Sequence, residues 1–188
     1  MTVRTRLSRA CAALLLAATS GLVAAASGDV PWVAGRTASM MPASQPYVNE
    51  QYGFVVPAVE AARAYRDKPP SPNHGVILIL GERRVIAVSA EHDAAQLGTA
   101  RAYLDLLLHA DEVPGHAAVR ATRAAGHAAW SATVRQGDAV RKFIAVRRSD
   151  GGGINIALTL ETTASANIED SKTFEHLARE LKFVALPR

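Results

Sequence analysis

Histidine is the one reactive side chain in this sequence whose placement invites a search for chemistry. Glu91, His92 and Asp93 precede a stretch with helical spacing, and His109, Asp111, Glu112 and His116 follow it. These are nitrogen and oxygen donors of the kind zinc takes in a four-coordinate site. Spacing argues against such a site, because a straight helix rising about 1.5 Å per residue sets His92 and His109 more than about 20 Å apart. No His-Glu-x-x-His pair is present either. Only His109, Asp111 and His116 stay close along the chain, and they read as a helix end and its solvated loop, with His109 favoured there by the helix dipole.

Ser89, His92 and Asp93 have the residue types of a catalytic triad. No Gly-x-Ser-x-Gly elbow exposes a serine, and closeness along the chain does not create the required geometry. Asp150-Gly151-Gly152-Gly153 precedes a strand pattern rather than Gly-Lys-Ser and a helix, so it reads as a hairpin turn and not as a phosphate cradle. No catalytic, cofactor-binding or metal residue is therefore assigned, and no cofactor is expected. One enzymatic arrangement stays open, a hydrolase whose His74, His92 and Glu91 are brought together from separate loops.

The elements that must position these groups begin after a leader. Arg4, Arg6 and Arg9 precede the mostly apolar stretch Ala10 to Ala26, and Ala24-Ala25-Ala26 supplies small residues for a peptidase. That order predicts a secretory signal peptide over residues 1–26, cut after Ala26. The apolar part is shorter than the roughly 20 residues a membrane span needs, so no span is expected after cleavage. The only cysteine, Cys11, stands at the start of the apolar run rather than after it, which excludes a lipoprotein reading and leaves the mature chain without a thiol. In an oxidising periplasmic or extracellular setting such a chain has no disulfide framework and must hold by its core. Cleavage also takes the 21 Lys and Arg to 18 against 17 acids, and the net charge from +4 to +1. No basic stripe remains for nucleic acid. Arg141, Lys142, Arg147 and Arg148 read as the solvent face and end of a strand.

Residues 27–48, with Pro31, Pro42 and Pro46, read as a flexible arm, with Trp32 and Val33 able to dock on the domain or a partner. Residues 49–188 form one domain. Tyr52-Gly53-Phe54-Val55-Val56 ending at Pro57 predicts a strand, and Val59 to Arg66 one or two helical turns. Lys68-Pro69-Pro70-Ser71-Pro72-Asn73 is a loop, and Val76 to Leu80 with Arg84 to Ser89 a hairpin. From Asp93 to His109 the apolar period becomes helical, carried by Leu97, Ala100, Leu104, Leu107 and Leu108, with Asp93 as N-cap and Pro114-Gly115 beyond the end. Strands with period two then run to residue 161. Each strand has one apolar face, Trp130, Ala132 and Val134 on the first, Val140, Ile144 and Val146 on the second, and Ile154, Ile156, Leu158 and Leu160 on the third, with Ser131, then Arg141 and Arg147, then Asn155 and Glu161 on the opposite faces. That predicts a half-buried antiparallel meander, with Trp130 in the core rather than serving as a ligand platform. A second helix opens near Asp170-Ser171 and presents Phe174, Leu177, Ala178 and Leu181.

Tyr52-Gly53-Phe54-Val55-Val56-Pro57, the Leu158-Thr159-Leu160 strand, and Phe174-Glu175-His176-Leu177 leading to Leu181-Lys182-Phe183 give this order of elements, over residues 49 to 184, a resemblance to the PsbP-like superfamily, which includes DcrB-like bacterial proteins. The Gly-Trp pair that such domains often carry after the first proline is replaced here by Ala58-Val59-Glu60. The resemblance implies an α+β fold, an α/β/α sandwich around an antiparallel sheet flanked by helices. It implies no activity. The functional expectation is an exported, non-enzymatic domain that binds a protein of the envelope or exterior, or a small ligand, through its sheet face or its arm.

Overall fold

Period-two patterning over the C-terminal half resolves into the centre of an eight-stranded antiparallel sheet. The computed structural model describes residues 38–59, 63–67, 74–110, 117–150 and 153–186. The expected leader over residues 1–26, Trp32, the expected loop over residues 68–73, Asp111, Glu112, Pro114, Gly115 and His116 lie outside the described residues. The strands are β1 (Ala38–Met41), β2 (Tyr47–Asn49), β3 (Phe54–Val56), β4 (Arg63–Asp67), β5 (Gly75–Gly81), β6 (Arg84–His92), β7 (Arg120–Ala124), β8 (His127–Gln136), β9 (Ala139–Arg148), β10 (Ile154–Thr163) and β11 (Lys182–Phe183). Helices α1 (Ala100–Ala110) and α2 (Asn167–Glu180) complete the order. The main sheet runs β1-β4-β5-β6-β10-β9-β8-β7, and a small sheet runs β11-β3-β2. Among the described residues no helix is long and apolar enough to cross a membrane.

Both faces of the main sheet are covered at its centre, which corrects the half-buried expectation. Ile154, Ile156, Leu158 and Leu160 share one core with Phe174, Leu177, Ala178 and Leu181 around α2, and with Tyr47, Phe54 and Val56 of the small sheet. The alternate residues Phe143, Ala145, Ala157 and Ala132 form a second core with Tyr103, Leu104 and Leu107 of α1, and Trp130 is packed at its margin. Small alanines let the helix approach closely, so a face that looks mixed in sequence is dry at its middle. A binding mode through an open sheet face is not available there.

Two local expectations change. Residues 38–41, placed in the flexible arm, form an edge strand paired with β4 from Ala38↔Asp67 to Met41↔Ala64. Residues 63–67, read as part of a short helix, are that partner strand, because pairing to β1 and β5 satisfies their backbone on both sides while Ala64 is buried. At Gly75 the strand β5 crosses so close to β6 that an added Cβ would lie 1.8 Å from the Val88 carbonyl oxygen, so only glycine fits.

Charged residues tie the layers together. Helix α2 opens at Asn167 rather than at Asp170-Ser171, which places Asp170 inside the helix. Asp170 is buried in the first turn, where it accepts bonds from Arg84 Nε (2.9 Å) and Nη2 (2.5 Å) and from the Thr162 hydroxyl. Arg148, expected on the solvent face, is 5 % exposed. It donates to the carbonyls of Gly53 and Val184 at 2.6 Å and forms a forked pair with Asp150, clamping the small sheet to the large one. Asp93 is not the N-cap of α1. Thr99 is, its hydroxyl accepting the Ala102 N–H at 3.1 Å. The Asp93 carboxylate instead folds the preceding turn, accepting N–H bonds from Leu97 (2.8 Å) and Gly98 (3.0 Å), and pairs with Arg147. Burial pushes its pKa up, but those N–H bonds and the guanidinium outweigh burial and hold it at about 2.

Phe174 fills the core under α2, so Phe174→Ala is expected to lower unfolding stability by about 3–5 kcal/mol. Urea denaturation checks this, and a loss below about 1 kcal/mol would show that α2 does not carry the core. For Asp93 the folded pKa lies below the unfolded 3.8, so its stabilisation is present above about pH 4 and is lost as pH falls through about 2. The gap of about 2 pKa units corresponds to about 2 kcal/mol. The stability difference between the native chain and Asp93→Asn should therefore shrink by about 2 kcal/mol between about pH 5 and about pH 2, and a constant difference would contradict the assignment.

Candidate functional site

One end of the main sheet collects the polar residues that its dry centre excludes. There β6 ends, β10 begins and β9 ends, and the antiparallel register sets Asn155 opposite Glu91 on one side and Arg147 on the other. Because side chains alternate along a strand, Glu91, Arg147 and Asn155 all take the α1 side. Tyr103, from the second turn of α1 and almost fully buried, bonds its hydroxyl to the Glu91 carboxyl. Asp93 closes the group, accepting from Asn155 Nδ2 at 3.3 Å.

The two acids are tuned in opposite directions. Asp93 lies low for the reasons given above. Glu91 is raised, chiefly by burial and further by the Asp93 charge, while the Tyr103 hydroxyl and His74 pull the other way and do not cancel the burial. Tyr103 is driven well above the usual phenol range by burial and then by Glu91, so it stays a donor. Asn155 is 1 % exposed. Its amide nitrogen is used on Asp93, and its Oδ1 has no hydrogen-bond partner among the described residues. Buried carbonyl oxygens are rarely left without a donor.

On the opposite side of the same sheet end, Tyr52 stands between two histidines. Its ring centroid is 5.6 Å from that of His74 and 5.2 Å from that of His92. His74 Nδ1 lies 3.0 Å from the Ala90 carbonyl oxygen and 3.1 Å from the Tyr52 hydroxyl. A carbonyl only accepts, so Nδ1 carries the proton. Burial, and then the charge of Glu91, raise the Tyr52 pKa.

The structure thus brings His74 and His92 together around Tyr52 and directs Glu91 to the other face, so the three do not form one catalytic group. Ser89 and His92, three residues apart on β6, also point to opposite faces, and Asp93 is committed to Arg147, so the triad types do not converge. His109 is exposed in the last turn of α1, and among the described residues no three His, Cys, Asp or Glu gather as a metal-ligand set. Arg101 lies 5.1 Å above the Trp130 ring and bonds Asp105 at 3.0 Å, so that indole is roofed by an ion pair. Of the basic cluster, Arg141 pairs with Glu161 at 3.5 Å and Lys142 with Glu175 at 3.7 Å.

Sequence reasoning missed Tyr103 and Asn155. Tyr103 lies one position from Leu104 in the helical stripe, and that spacing was its signal. Asn155 looks like the wet face of a strand, and only the position of β10 in mid-sheet reveals it as buried. Chemically, the α1 side offers two acceptors, a partly exposed carboxyl and a buried amide oxygen, arranged to receive N–H or O–H donors rather than to attack a substrate.

No protein-family model matches this chain, and no curated protein matches it. Several solved structures are similar to it in fold, and two of them show how far the likeness extends. LpqN of Mycobacterium tuberculosis, described as involved in cell envelope biogenesis, superposes with a TM-score of 0.54 at 10 % identity, over 82 % of this chain and 96 % of that one. The cyanobacterial PsbP (CyanoP) of Synechocystis sp. PCC 6803 does so at 0.50 and 14 %, over 87 % and 99 %. At these identities the likeness is one of architecture, and the architecture of this chain is PsbP-like, α+β with a predominantly antiparallel core.

Proposed function

We propose that this chain is an exported, non-enzymatic domain that binds a protein or small ligand of the cell envelope or exterior through the polar end of its main sheet. One observation carries the reading. Among the described residues, a buried amide oxygen without a donor stands opposite a partly exposed carboxyl whose one donor is a neutral phenol, at the margin where the dry sheet meets solvent. Unspent acceptors of this kind suit recognition. The charged groups around them are spent on structure, Asp93 on Arg147 and two backbone N–H groups, Arg148 on two carbonyls and Asp150. Export is supported by the leader over residues 1–26, and the description of LpqN as a protein of envelope biogenesis agrees with it.

Two measurements test this. Mass spectrometry of the protein recovered from its native cells is expected to find Ser27 at the amino terminus in an envelope or secreted fraction. Recovery only from the cytoplasm with residues 1–26 attached would remove the export half. The mature domain, immobilised, should capture from the envelope fraction a partner that the doubly changed Glu91→Gln, His92→Ala domain captures at least tenfold less, about 1.4 kcal/mol in affinity. Equal capture by both would remove the sheet end as the binding region.

A further inference from the structure

We propose that Glu91 and Asn155 together form a site for a compact primary ammonium group, the head of a small free amine or of a partner's lysine. This rests on the binding role of the sheet end and names the chemistry that end selects. Asn155 and Glu91 are direct cross-strand partners on the same face, so their side chains leave the sheet about 4.5–5.5 Å apart at Cβ, within reach of one small ligand. The Asn155 amide cannot turn round, because its Nδ2 donates to Asp93 and the flipped form would set oxygen against carboxylate. Its Oδ1 is therefore held as an acceptor that lacks a donor among the described residues.

Charge selects the sign of the ligand. Asp93 and Arg147 cancel as a pair, whereas Glu91 has no cation within ion-pair distance among the described residues and keeps only the Tyr103 hydroxyl as donor. One negative charge is thus left over, partly shielded from water, beside a neutral acceptor. A hard metal ion is a poor match, since calcium takes six to eight oxygens and the Asp93 oxygens are already engaged by Leu97, Gly98, Asn155 and Arg147. A guanidinium matches less well than an ammonium, because its planar fork suits two parallel oxygens of one carboxylate. Here the acceptors belong to two strands and the carboxyl already receives Tyr103. An ammonium has three donors that diverge, which suits acceptors standing on two neighbouring strands, and it would reach the covered Oδ1 only as the side chains over that atom give way.

The test is a titration of the isotope-labelled mature protein with methylammonium chloride at fixed ionic strength, following the Asn155 side-chain amide by nuclear magnetic resonance. The expected result is a saturating shift of that amide. Tetramethylammonium, of equal charge but without N–H donors, should give none. Glu91→Gln keeps an acceptor for Tyr103 and should fold, and it is expected to weaken methylammonium at least tenfold. Tighter binding of Nα-acetyl-lysine amide than of methylammonium assigns the head group to a protein side chain, and equal binding assigns it to a free amine. No saturating shift, an equal response to tetramethylammonium, or unchanged affinity in Glu91→Gln overturns the ammonium site. Should capture of an envelope partner still depend on the sheet end while methylammonium fails, only the ligand class falls. Should capture be independent of that end while methylammonium binds as expected, the site stands and the wider role falls.

Discussion

β10 has no solvent side through most of its length, and the rest of the structure follows from that constraint. It lies between β6 and β9 in mid-sheet, and from Ile154 to Leu158 every residue is buried. A strand covered on both faces accepts only apolar groups or polar groups whose bonds are met. Two separate helices are needed to cover it, one per face, and each is recruited by a different set of residues, the large aliphatics for α2 and the alanines for α1. The main antiparallel sheet and the helices that cover its two faces are two results of the same burial.

Charge is then expelled to the margins, where it is reused as fastening. Arg84 and Asp170 join the sheet to α2, Arg148 joins it to the small sheet, and Asp93 with Arg147 joins it to the turn before α1. Each pair lies at a strand end, within reach of a loop whose orphan backbone groups it satisfies or whose helix it anchors. Their effect is to fix the direction in which each accessory element leaves the sheet, and thereby to fix the geometry of the two polar clusters at its end.

The main strands and both helices were legible because their apolar periods are long and regular, as in Ile154, Ile156, Leu158 and Leu160 or Phe174, Leu177 and Leu181. What was not legible depended on neighbours distant in sequence. Ala145 and Ala157 carry too little hydrophobic signal to announce a buried second face beside Arg147 and Asn155. Residues 63–67 are short, and only the flanking strands decide between a helical turn and an edge-adjacent strand. Asp93 has the type and approximate place of a helix cap, yet six residues separate it from Thr99, which does that work. Of the candidate site, Glu91, His92, Asp93 and His74 were visible as residue types. Their division between two faces follows from strand alternation, and the sheet order that packs α1 on one of those faces could not be read from spacing.

Glu91 and Asp93, two residues apart, show how the supply of donors separates a structural acid from an available one. Both are drawn from water, and burial alone would raise both. Asp93 receives two backbone N–H bonds, an amide and a guanidinium, and ends near 2, a fixed charge at working pH. Glu91 receives one neutral hydroxyl and ends above its ordinary value. Removing Asp93 would leave Arg147 unpaired and the Leu97–Gly98 turn unsupported, so selection for stability alone explains its contacts. Glu91 and Asn155 each meet one structural need as well, since a hydrocarbon at Glu91 would leave the buried Tyr103 hydroxyl without its acceptor and one at Asn155 would take a donor from Asp93. Those bonds still leave Asn155 Oδ1 without a donor and Glu91 with one neutral donor among the described residues, which is costly at a covered sheet end. The proposed ammonium group would bring a positive charge and donors that offset this cost.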